Sequence, residues 1–221
     1  MNDLVSVPAD TRQRLIEAGL DIFGRVGFEA ASTRRIAETA GANLAAIKYH
    51  FGGKQGLYLA VARHIAEHVS RNVGGAAEAA RAALASGRLD RSSAADALEG
   101  VVLLAAQNLV ANPEAARWAR FILREQFEPT EAFELIYSTT MSRLHGTVTA
   151  LVAIILGLKS ESEEAKLEAF ALVGQVLVFR LARAAVLRRM EWDDVGPRQA
   201  EAIFALLRRS VRRLAAKTGR R

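Results

Sequence analysis

The stretch STRRIAETAGANLAAIKYHFGGKQGLY, residues 32–58, decides the fold of this chain. Ala37, then Gly41 four residues later, then Ile47 six residues after that, have the spacing of a helix-turn-helix. A small residue lets two short helices cross closely, a glycine adopts the positive φ of the tight turn at little cost, and an apolar residue fills the angle between the helices. The pattern predicts a second helix over about 44–51, of a size that fits the major groove of DNA.

The residues around the two short helices support the same prediction. Ser32 or Thr33 can cap the first helix and Asn43 the second, because their side-chain oxygens accept hydrogen bonds from the free amides at a helix start. An amphipathic helix precedes the motif and extends to about Gly27. Three helices therefore precede the glycine pair at 52–53, which is the minimum for a small DNA-binding unit with its own core.

The rest of the chain has helical periodicity, without strand-like alternation or an internal repeat. We expect a helix over about 54–73 that ends at Gly74-Gly75, a short helix over 76–87, and a single helix from about 162 to 190. Pro197 stands at the first turn of the last helix, a position where proline is tolerated.

Together these patterns predict an all-α fold with two domains. A three-helix helix-turn-helix domain would occupy residues 1–53. A larger helical domain would occupy residues 54–221.

Several stretches allow comparison with known families. Around the motif lie FGRVGFEAASTRRIAETAG (23–41), an aromatic–His–Phe stretch, a lysine and an apolar–tyrosine pair; farther on lie FILREQFEPTEAFELIY (121–137), LHGTVTALVA (144–153) and LVGQVLVFRLARAAVLRR (172–189). The first group resembles the N-terminal domain of TetR-type transcriptional regulators. The second group resembles the CecR-like (YbiH-like) branch. The resemblance implies a repressor that binds a palindromic double-stranded DNA operator as a homodimer and is released by a small-molecule effector.

The resemblance also implies which residues meet the DNA. The expected DNA-binding residues are Thr33, Arg34, Leu44, Ala45, Ala46, Lys48, Tyr49, His50 and Lys54. The usual regulator has threonine or serine in place of Ala46 and tyrosine in place of Lys48. We therefore expect Lys48 to bind a guanine, with Ala45 or Leu44 against a thymine methyl group; the alternative is a lysine that only holds a phosphate.

The net charge of +6 is not by itself a sign of nucleic-acid binding. Residues 1–54 carry seven basic and six acidic side chains, and much of the surplus lies in RRSVRRLAAKTGRR at 208–221. This tail is interpreted first as a solvated helix end, where cations complement the free carbonyls. A direct contact with DNA or a membrane is the alternative.

Composition excludes several classes of protein. The chain has no cysteine, which rules out disulfides and thiolate metal sites and fits a cytoplasmic protein. The longest apolar runs, such as residues 151–158, are shorter than the ~18–20 residues of a membrane span, so we expect no membrane partner. The first ten residues carry no export signal.

One enzyme motif competes with the regulator hypothesis. His64, Glu67 and His68 match the HxxEH pattern of inverted zinc peptidases, in which two histidines bind zinc and the glutamate acts as a base. The third ligand that such a site needs is not evident, and no nucleophile elbow, P-loop or dinucleotide fingerprint occurs. We therefore expect no enzyme, no cofactor and no metal. A metal-dependent hydrolase and a helical scaffold that binds nucleic acid non-specifically through residues 208–221 stay as alternatives.

The larger domain must dimerise and sense, and its apolar residues give candidates for both roles. Candidates for the dimer interface are Phe170, Val173, Leu177, Leu181, Ile203, Leu206 and Leu207, with an intramolecular core as the alternative. Candidates for an effector cavity are Trp118, Phe121, Phe127, Phe133, Tyr137, Met141, His145, Gln175 and Phe179, with Arg124, Arg180 or Arg183 as polar anchors. Stripes of this kind more often form a plain core, which is the alternative.

Overall fold

The computed structural model describes residues 8–112 and 114–216, and the described part contains helices and no β-strand. The predicted all-α class is therefore confirmed. The elements are α1 (Pro8–Ala30), α2 (Thr33–Thr39), α3 (Leu44–Phe51), α4 (Lys54–Ala85), α5 (Arg91–Ala106), π1 (Gln107–Ala111), α6 (Ala115–Phe127), α7 (Glu131–Ile136), π2 (Tyr137–Met141), α8 (Ser142–Leu156), α9 (Glu163–Leu181), α10 (Arg183–Met190) and α11 (Pro197–Ala216).

The chain forms two compact units, which do not divide at residue 53. Unit 1 comprises Met1–His68 and Ala116–Thr139, and unit 2 comprises Val69–Ala115 and Thr140–Arg221. Unit 1 thus contains more than the three predicted helices, because it also takes in the first part of α4 together with nearly all of α6 and α7. That residues 1–53 bind DNA and residues 54–221 bind an effector and dimerise stays a prediction.

Unit 1 is built on α1, whose apolar face is buried. Leu15 and Phe23 of α1 are fully buried, as are Ile36 of α2 and Leu57 of α4. Gly27, near the end of α1, has φ 80° and ψ 178°, so the last residues of α1 turn away from the regular helix. Burial of these side chains is the main source of stability of the unit.

Unit 2 has a separate core formed by four helices. Leu98 of α5, Leu151 of α8, Leu172 of α9 and Leu207 of α11 belong to one buried cluster. The start of α5 is fixed by a reciprocal capping box in which the Ser93 amide donates to Asp90 and the Asp90 amide donates to the Ser93 hydroxyl. The Ser93 hydroxyl also donates to the Asp90 carboxylate at 2.6 Å, and this bond together with that from the Ser93 amide holds the pKa of Asp90 below its ordinary value.

Two predicted helix boundaries are wrong. Gly74 and Gly75 do not end a helix, since α4 continues through them to Ala85; a glycine costs a helix only about 1 kcal/mol, which neighbouring helix formers offset. The helix predicted over 162–190 is instead two helices, α9 and α10, which bend by 75° at Ala182. No proline or glycine marks that break in the sequence.

The expectation about membrane spans rested on uninterrupted apolar runs, and whole helices give a different result. In the described part of the chain, Arg91–Ala111 and Glu131–Leu156 are long and apolar enough to cross a membrane by length and composition alone. The bent pair α9 and α10 would be a third candidate. In unit 2 the buried residues of these helices, such as Val101 and Val152, contribute to the protein core.

Candidate DNA-binding site

The start of α2 and the turn after it have the predicted geometry. The Ser32 side chain accepts a hydrogen bond from the Arg35 amide and caps α2. Gly41 has φ +58°, the left-handed conformation that glycine adopts without strain. Ala37 is buried, and the Ala42 amide donates to the Ala37 carbonyl at 2.9 Å, which closes the turn.

The bounds predicted for α3 are confirmed. Asn43 caps its first turn by accepting a hydrogen bond from the Ala45 amide at 2.9 Å. Gly52, with φ 75°, ends the helix after Phe51. Ile47 is buried, and Ile36 of α2 is buried as well, so the inner faces of both helices belong to the core.

The outer face of α3 is exposed to solvent. Leu44 is 50% exposed and Tyr49 is 84% exposed, and Ala45 and Lys48 are exposed on the same helix. Large apolar side chains are left in water at a cost, so their presence on a short helix indicates an interaction surface. We call Leu44, Ala45, Lys48 and Tyr49 the reading face.

The other predicted contact residues of α2 and α3 differ in their exposure and in their intramolecular contacts. Thr33, Ala46 and His50 are half-buried, and the His50 ring lies 4.9 Å from the Tyr49 ring. Arg34 is exposed and pairs with Glu38 at 3.1 Å on the same helix. An exposed pair of this kind contributes little free energy, so the Arg34 guanidinium remains available to a phosphate.

Lys54 has intramolecular contacts that the sequence did not indicate. Its ammonium donates to the Glu29 carbonyl at 3.1 Å and lies 4.6 Å from the centre of the Phe28 ring. These contacts tie the start of α4 to the end of α1. One of the three N–H groups of the Lys54 ammonium is used by the Glu29 carbonyl. The contact of Lys54 with a phosphate stays a prediction.

Arg14 supports the turn from outside and was not predicted. From α1, its guanidinium donates to the carbonyls of Ala40 and Gly41 at 2.9 and 3.4 Å. The last carbonyls of a helix have no partner within it, so a charged donor stabilises the end of α2. Ala40 and Gly41 follow Arg14 by 26 and 27 residues in the sequence. No local sequence pattern reveals contacts across that separation.

α6 braces α1 through a second arginine that the sequence did not single out. Arg117 donates to both carboxylate oxygens of Asp21, at 2.8 and 3.2 Å, and pairs with Glu17 at 2.9 Å. Glu17 also faces His64 of α4 at 3.3 Å. These partly buried contacts link α1, α4 and α6, and a forked guanidinium fixes direction as well as distance.

The polar anchors expected in an effector cavity are engaged elsewhere. Arg124 donates to the Arg25 carbonyl at 3.3 Å. Arg180 donates to the carbonyls of Leu109 and Asn112 at 2.6 and 2.8 Å, and Arg183 pairs with Asp194. Burial lowers the pKa of Arg180. All three arginines donate to protein acceptors in this conformation, and their role as polar anchors of an effector stays a prediction.

The aromatic candidates for the cavity belong to different units. Trp118, Phe121, Phe127, Phe133 and Tyr137 lie in unit 1, whereas Met141, His145, Gln175 and Phe179 lie in unit 2. Phe121 is buried in the core of unit 1, while Phe127 is 79% exposed. Two surface depressions in unit 2, of about 520 and 390 Å³, are lined by other residues. The predicted cavity residues thus remain a prediction.

The candidates for the dimer interface divide into exposed and buried residues. Phe170 and Leu181 of α9 are 55% and 49% exposed, and Leu206 of α11 is 38% exposed. Val173 and Leu177 are half-buried. Ile203 and Leu207 are at most 3% exposed and belong to the core of unit 2, so they cannot face a partner in this conformation. That part of the prediction is corrected.

The zinc-peptidase motif does not form a metal site in the described part of the chain. No group of three or more histidine, cysteine, aspartate or glutamate side chains there could hold a metal ion. His64 faces Glu17, and the His68 ring lies 6.0 Å from the Trp118 ring. The hydrolase alternative is therefore not supported.

Comparisons with known proteins agree with this geometry. A model of bacterial regulatory proteins of the tetR family matches residues 15–61, and a model of the C-terminal domain of the HTH-type transcriptional dual regulator CecR matches residues 94–217. The chain is 35% identical over 195 residues to the HTH-type transcriptional dual regulator CecR of Shigella flexneri, covering 87% of this chain and 85% of that protein.

Solved structures share the fold at lower identity. A TetR-family transcriptional regulator from Streptomyces coelicolor superposes with a TM-score of 0.64 and 16% identity, covering 96% of this chain and 91% of that one. AibR, solved in complex with isovaleryl coenzyme A and operator DNA, gives a TM-score of 0.64 at 15% identity, covering 90% and 96%.

A capped helix-turn-helix with an exposed second helix, followed by a larger helical unit, defines a DNA-binding transcriptional regulator. Both family matches and the relative that spans most of the chain point the same way. The chain belongs to the TetR family of transcriptional regulators, in its CecR-like branch.

Proposed function

We propose that this regulator is a repressor that binds a palindromic operator as a homodimer in the bacterial cytoplasm. It acts by binding and release rather than by catalysis. The single observation that carries the proposal is the reading face, where Leu44 and Tyr49 are largely exposed on a helix whose inner residue Ile47 is buried. An exposed face with large apolar side chains, on a helix that is capped and packed on its inner side, suits binding to another molecule.

Lys48 is the residue that we assign to base recognition. It lies one turn after Leu44 and Ala45 on the exposed side of α3, and the helix end is fixed by Gly52. A lysine that reaches the major groove donates to the O6 and N7 atoms of guanine, whereas Ala45 or Leu44 contacts a thymine methyl group. Thr33, Arg34, His50 and Lys54 then hold phosphates and fix the register.

Selection of bound sequences from a random DNA pool tests the operator. We expect a palindrome whose half-sites are separated by about one helical turn, because a two-fold dimer imposes its symmetry on the site. Selected sequences without symmetry would contradict the dimeric arrangement, and the absence of any enriched sequence would contradict specific recognition.

The role of Lys48 is then measured on the selected operator. Lys48→Ala should lose about 1–3 kcal/mol of discrimination at one base pair of each half-site. Arg35→Ala, an exposed arginine of α2 that we do not place at a base, is the matched control. Equal weakening of Lys48→Ala on every sequence would make Lys48 a phosphate contact instead.

We assign dimerisation to an apolar stripe on the outer side of α9. Leu167, Phe170, Val178 and Leu181 are between 44% and 63% exposed and recur at helical spacing, with Leu206 exposed on α11. Such a stripe is unfavourable in water and suits a second copy of the same helix pair. A dimer also supplies two reading faces for one operator.

Phe170→Glu tests this interface. The variant should be monomeric by analytical ultracentrifugation and should lose operator affinity by roughly 10³-fold, since one half-site supplies only part of the specific binding. Met190→Glu, at an exposed apolar residue of α10 outside the stripe, is the control and should stay dimeric. A dimeric Phe170→Glu variant would place the interface elsewhere.

Release by a small molecule completes the proposal. The remaining candidates in unit 2 are Met141, His145, Gln175 and Phe179, and burial lowers the pKa of His145, so this imidazole is neutral at neutral pH. AibR was solved with isovaleryl coenzyme A, an example of an organic ligand in the same fold. For this chain we propose a small amphipathic or aromatic effector.

A thermal-shift screen of such compounds, followed by operator titration, tests the effector. A ligand that releases the operator must bind more tightly to a conformer with weaker operator affinity, since coupling between two sites is reciprocal. Compounds that bind tightly and leave operator affinity unchanged would contradict release by that ligand.

A further inference from the structure

Glu125 is a buried carboxylate that four uncharged donors surround. It lies near the end of α6 and is 2% exposed. One oxygen accepts the hydroxyl hydrogen bond of Tyr58 from α4. The other accepts hydrogen bonds from the Thr130 amide at 3.0 Å, the Thr130 hydroxyl at 2.8 Å and the Phe133 amide at 2.9 Å. One carboxylate therefore joins α4, α6 and the start of α7.

Tyr58 connects this carboxylate to the aromatic residues beneath the DNA-binding helices. Its ring lies 4.8 Å from the Phe23 ring and 5.0 Å from the Phe28 ring, both on α1. α1 in turn packs against α2 and α3. The Tyr58 hydroxyl is thus the polar end of a side chain whose ring packs on α1, the helix against which α2 and α3 lie. Burial and the hydrogen bond to Glu125 raise the pKa of Tyr58 well above its ordinary value.

The four hydrogen bonds around Glu125 depend on one another. A buried carboxylate is tolerated only when donors satisfy it, so the loss of one donor raises the cost of keeping the charge buried. Hydrogen bonds within a buried network also strengthen one another, so the loss of one weakens the rest. The α7 donors of this network come from the segment that continues through π2 into α8 of unit 2, while its Tyr58 donor belongs to the DNA-binding side of unit 1.

We propose that Glu125 is a positioning residue for operator binding: its carboxylate latches the start of α7 to Tyr58 in the DNA-binding conformation, so that latch closure and operator binding favour each other. The proposal rests on DNA binding by α2 and α3, and it needs neither the palindrome nor the effector to be as proposed above. The latch is the Glu125 carboxylate with its donors from Tyr58, Thr130 and Phe133.

Amide hydrogen exchange of the wild-type protein tests the coupling directly. If the latch and the operator are linked, operator DNA must slow exchange of the Thr130 and Phe133 amides, because thermodynamic linkage is reciprocal. We expect slowing by about fivefold or more, the low end of typical allosteric coupling. The Ser93 amide, which donates to Asp90 at the exposed start of α5 in unit 2, opens locally and should keep its exchange rate. Equal slowing at Ser93 and at the latch, or no slowing at the latch, would overturn the proposal.

Two variants separate positioning from plain stabilisation. Tyr58→Phe keeps the ring and removes only the donor, and Glu125→Gln keeps the shape and removes the charge. Both should lose the operator-dependent slowing and about fivefold in operator affinity, measured where circular dichroism shows each variant folded. If Glu125→Gln does not fold, Tyr58→Phe decides alone.

Glu128→Gln is the matched control, because it makes the same charge change three residues later at an exposed position. It should behave as wild type, and Thr130→Ser, which keeps both donors of that residue, should retain the latch. Variants of Glu125 and Tyr58 that unfold more easily but keep wild-type operator affinity and operator-dependent exchange would reduce the latch to a structural cap.

Discussion

The helix-turn-helix and the core of unit 2 are both well packed, yet they relate to function in opposite ways. In α2 and α3 the buried residues Ile36 and Ile47 set the geometry, and we propose that the exposed residues of the reading face act on DNA. In unit 2 the four-helix cluster is equally buried, but the two surface depressions found among its described residues are not lined by the predicted effector-binding residues. All operators present phosphates and base edges, so the residues that bind DNA are of predictable types. Small-molecule effectors share no such common groups.

The largest expected effect comes from removing one buried isoleucine from the core of either unit and comparing the loss of stability with the loss of operator binding. Ile36→Ala and Ile155→Ala each remove a fully buried isoleucine side chain, one from α2 and one from α8. Each should lower the free energy of unfolding by about 2–5 kcal/mol. Only Ile36→Ala should abolish operator binding under conditions where the variant is still folded. Denaturant unfolding with operator titration measures both, and equal losses of binding would show that the two cores are not functionally distinct.

The next effect concerns the support of the turn. Arg14→Met keeps the apolar stem and leaves the Ala40 and Gly41 carbonyls without their charged donor. We expect a loss of about 1–3 kcal/mol in unfolding free energy, the usual cost of an unsatisfied polar group, together with weaker operator binding. Arg35→Met, an exposed arginine in α2, is the control. Unchanged stability of Arg14→Met would mean that water replaces the guanidinium without cost.

Helix caps allow a direct comparison of the two units. Asn43→Ala removes the cap of α3, and Asp90→Ala removes the capping box of α5. Each should cost about 1 kcal/mol of stability. Operator affinity should fall only for Asn43→Ala, because α3 carries the reading face. A comparable fall for Asp90→Ala would reveal coupling from α5 to DNA that we do not expect.

The smallest effect is a pH dependence in unit 2. Burial lowers the pKa of His145 below its ordinary value of 6.5 in the folded protein, so the unfolded state binds more protons as the pH falls through that value. Stability at neutral pH is therefore lost on acidification, beginning near pH 6.5 and continuing down to the folded-state pKa. His145→Gln should show a shallower dependence in thermal unfolding. An identical profile would assign the acid sensitivity to other groups.

Much of the DNA-binding site could be predicted because its determinants are local. Capping by Ser32 and Asn43, the positive φ of Gly41 and the bounds of α3 all follow from residues within a few positions of each other. Burial of Ile36 and Ile47 follows from helical periodicity. Each of these features depends on chemistry that a short window of sequence contains.

The supports of that site could not be predicted because their partners are distant in sequence. Arg14 reaches Ala40 and Gly41, and Arg117 reaches Asp21 across 96 residues. Tyr58 and Glu125 are 67 residues apart. Helical sequences of similar composition offer many candidate pairings, and only the packed structure selects among them. The 75° bend at Ala182 was missed for a related reason, since no local breaker residue causes it.

The continuity of α4 through both units has a consequence for the exchange of modules among regulators. A graft cut after Phe51 would transplant Phe23 and Phe28 without the Tyr58 ring that packs on them and without the two arginines of α6, Arg117 and Arg124, that hold α1. Chimaeras of this chain with new operator preference are therefore better made by replacing the four side chains of the reading face than by exchanging the first fifty residues.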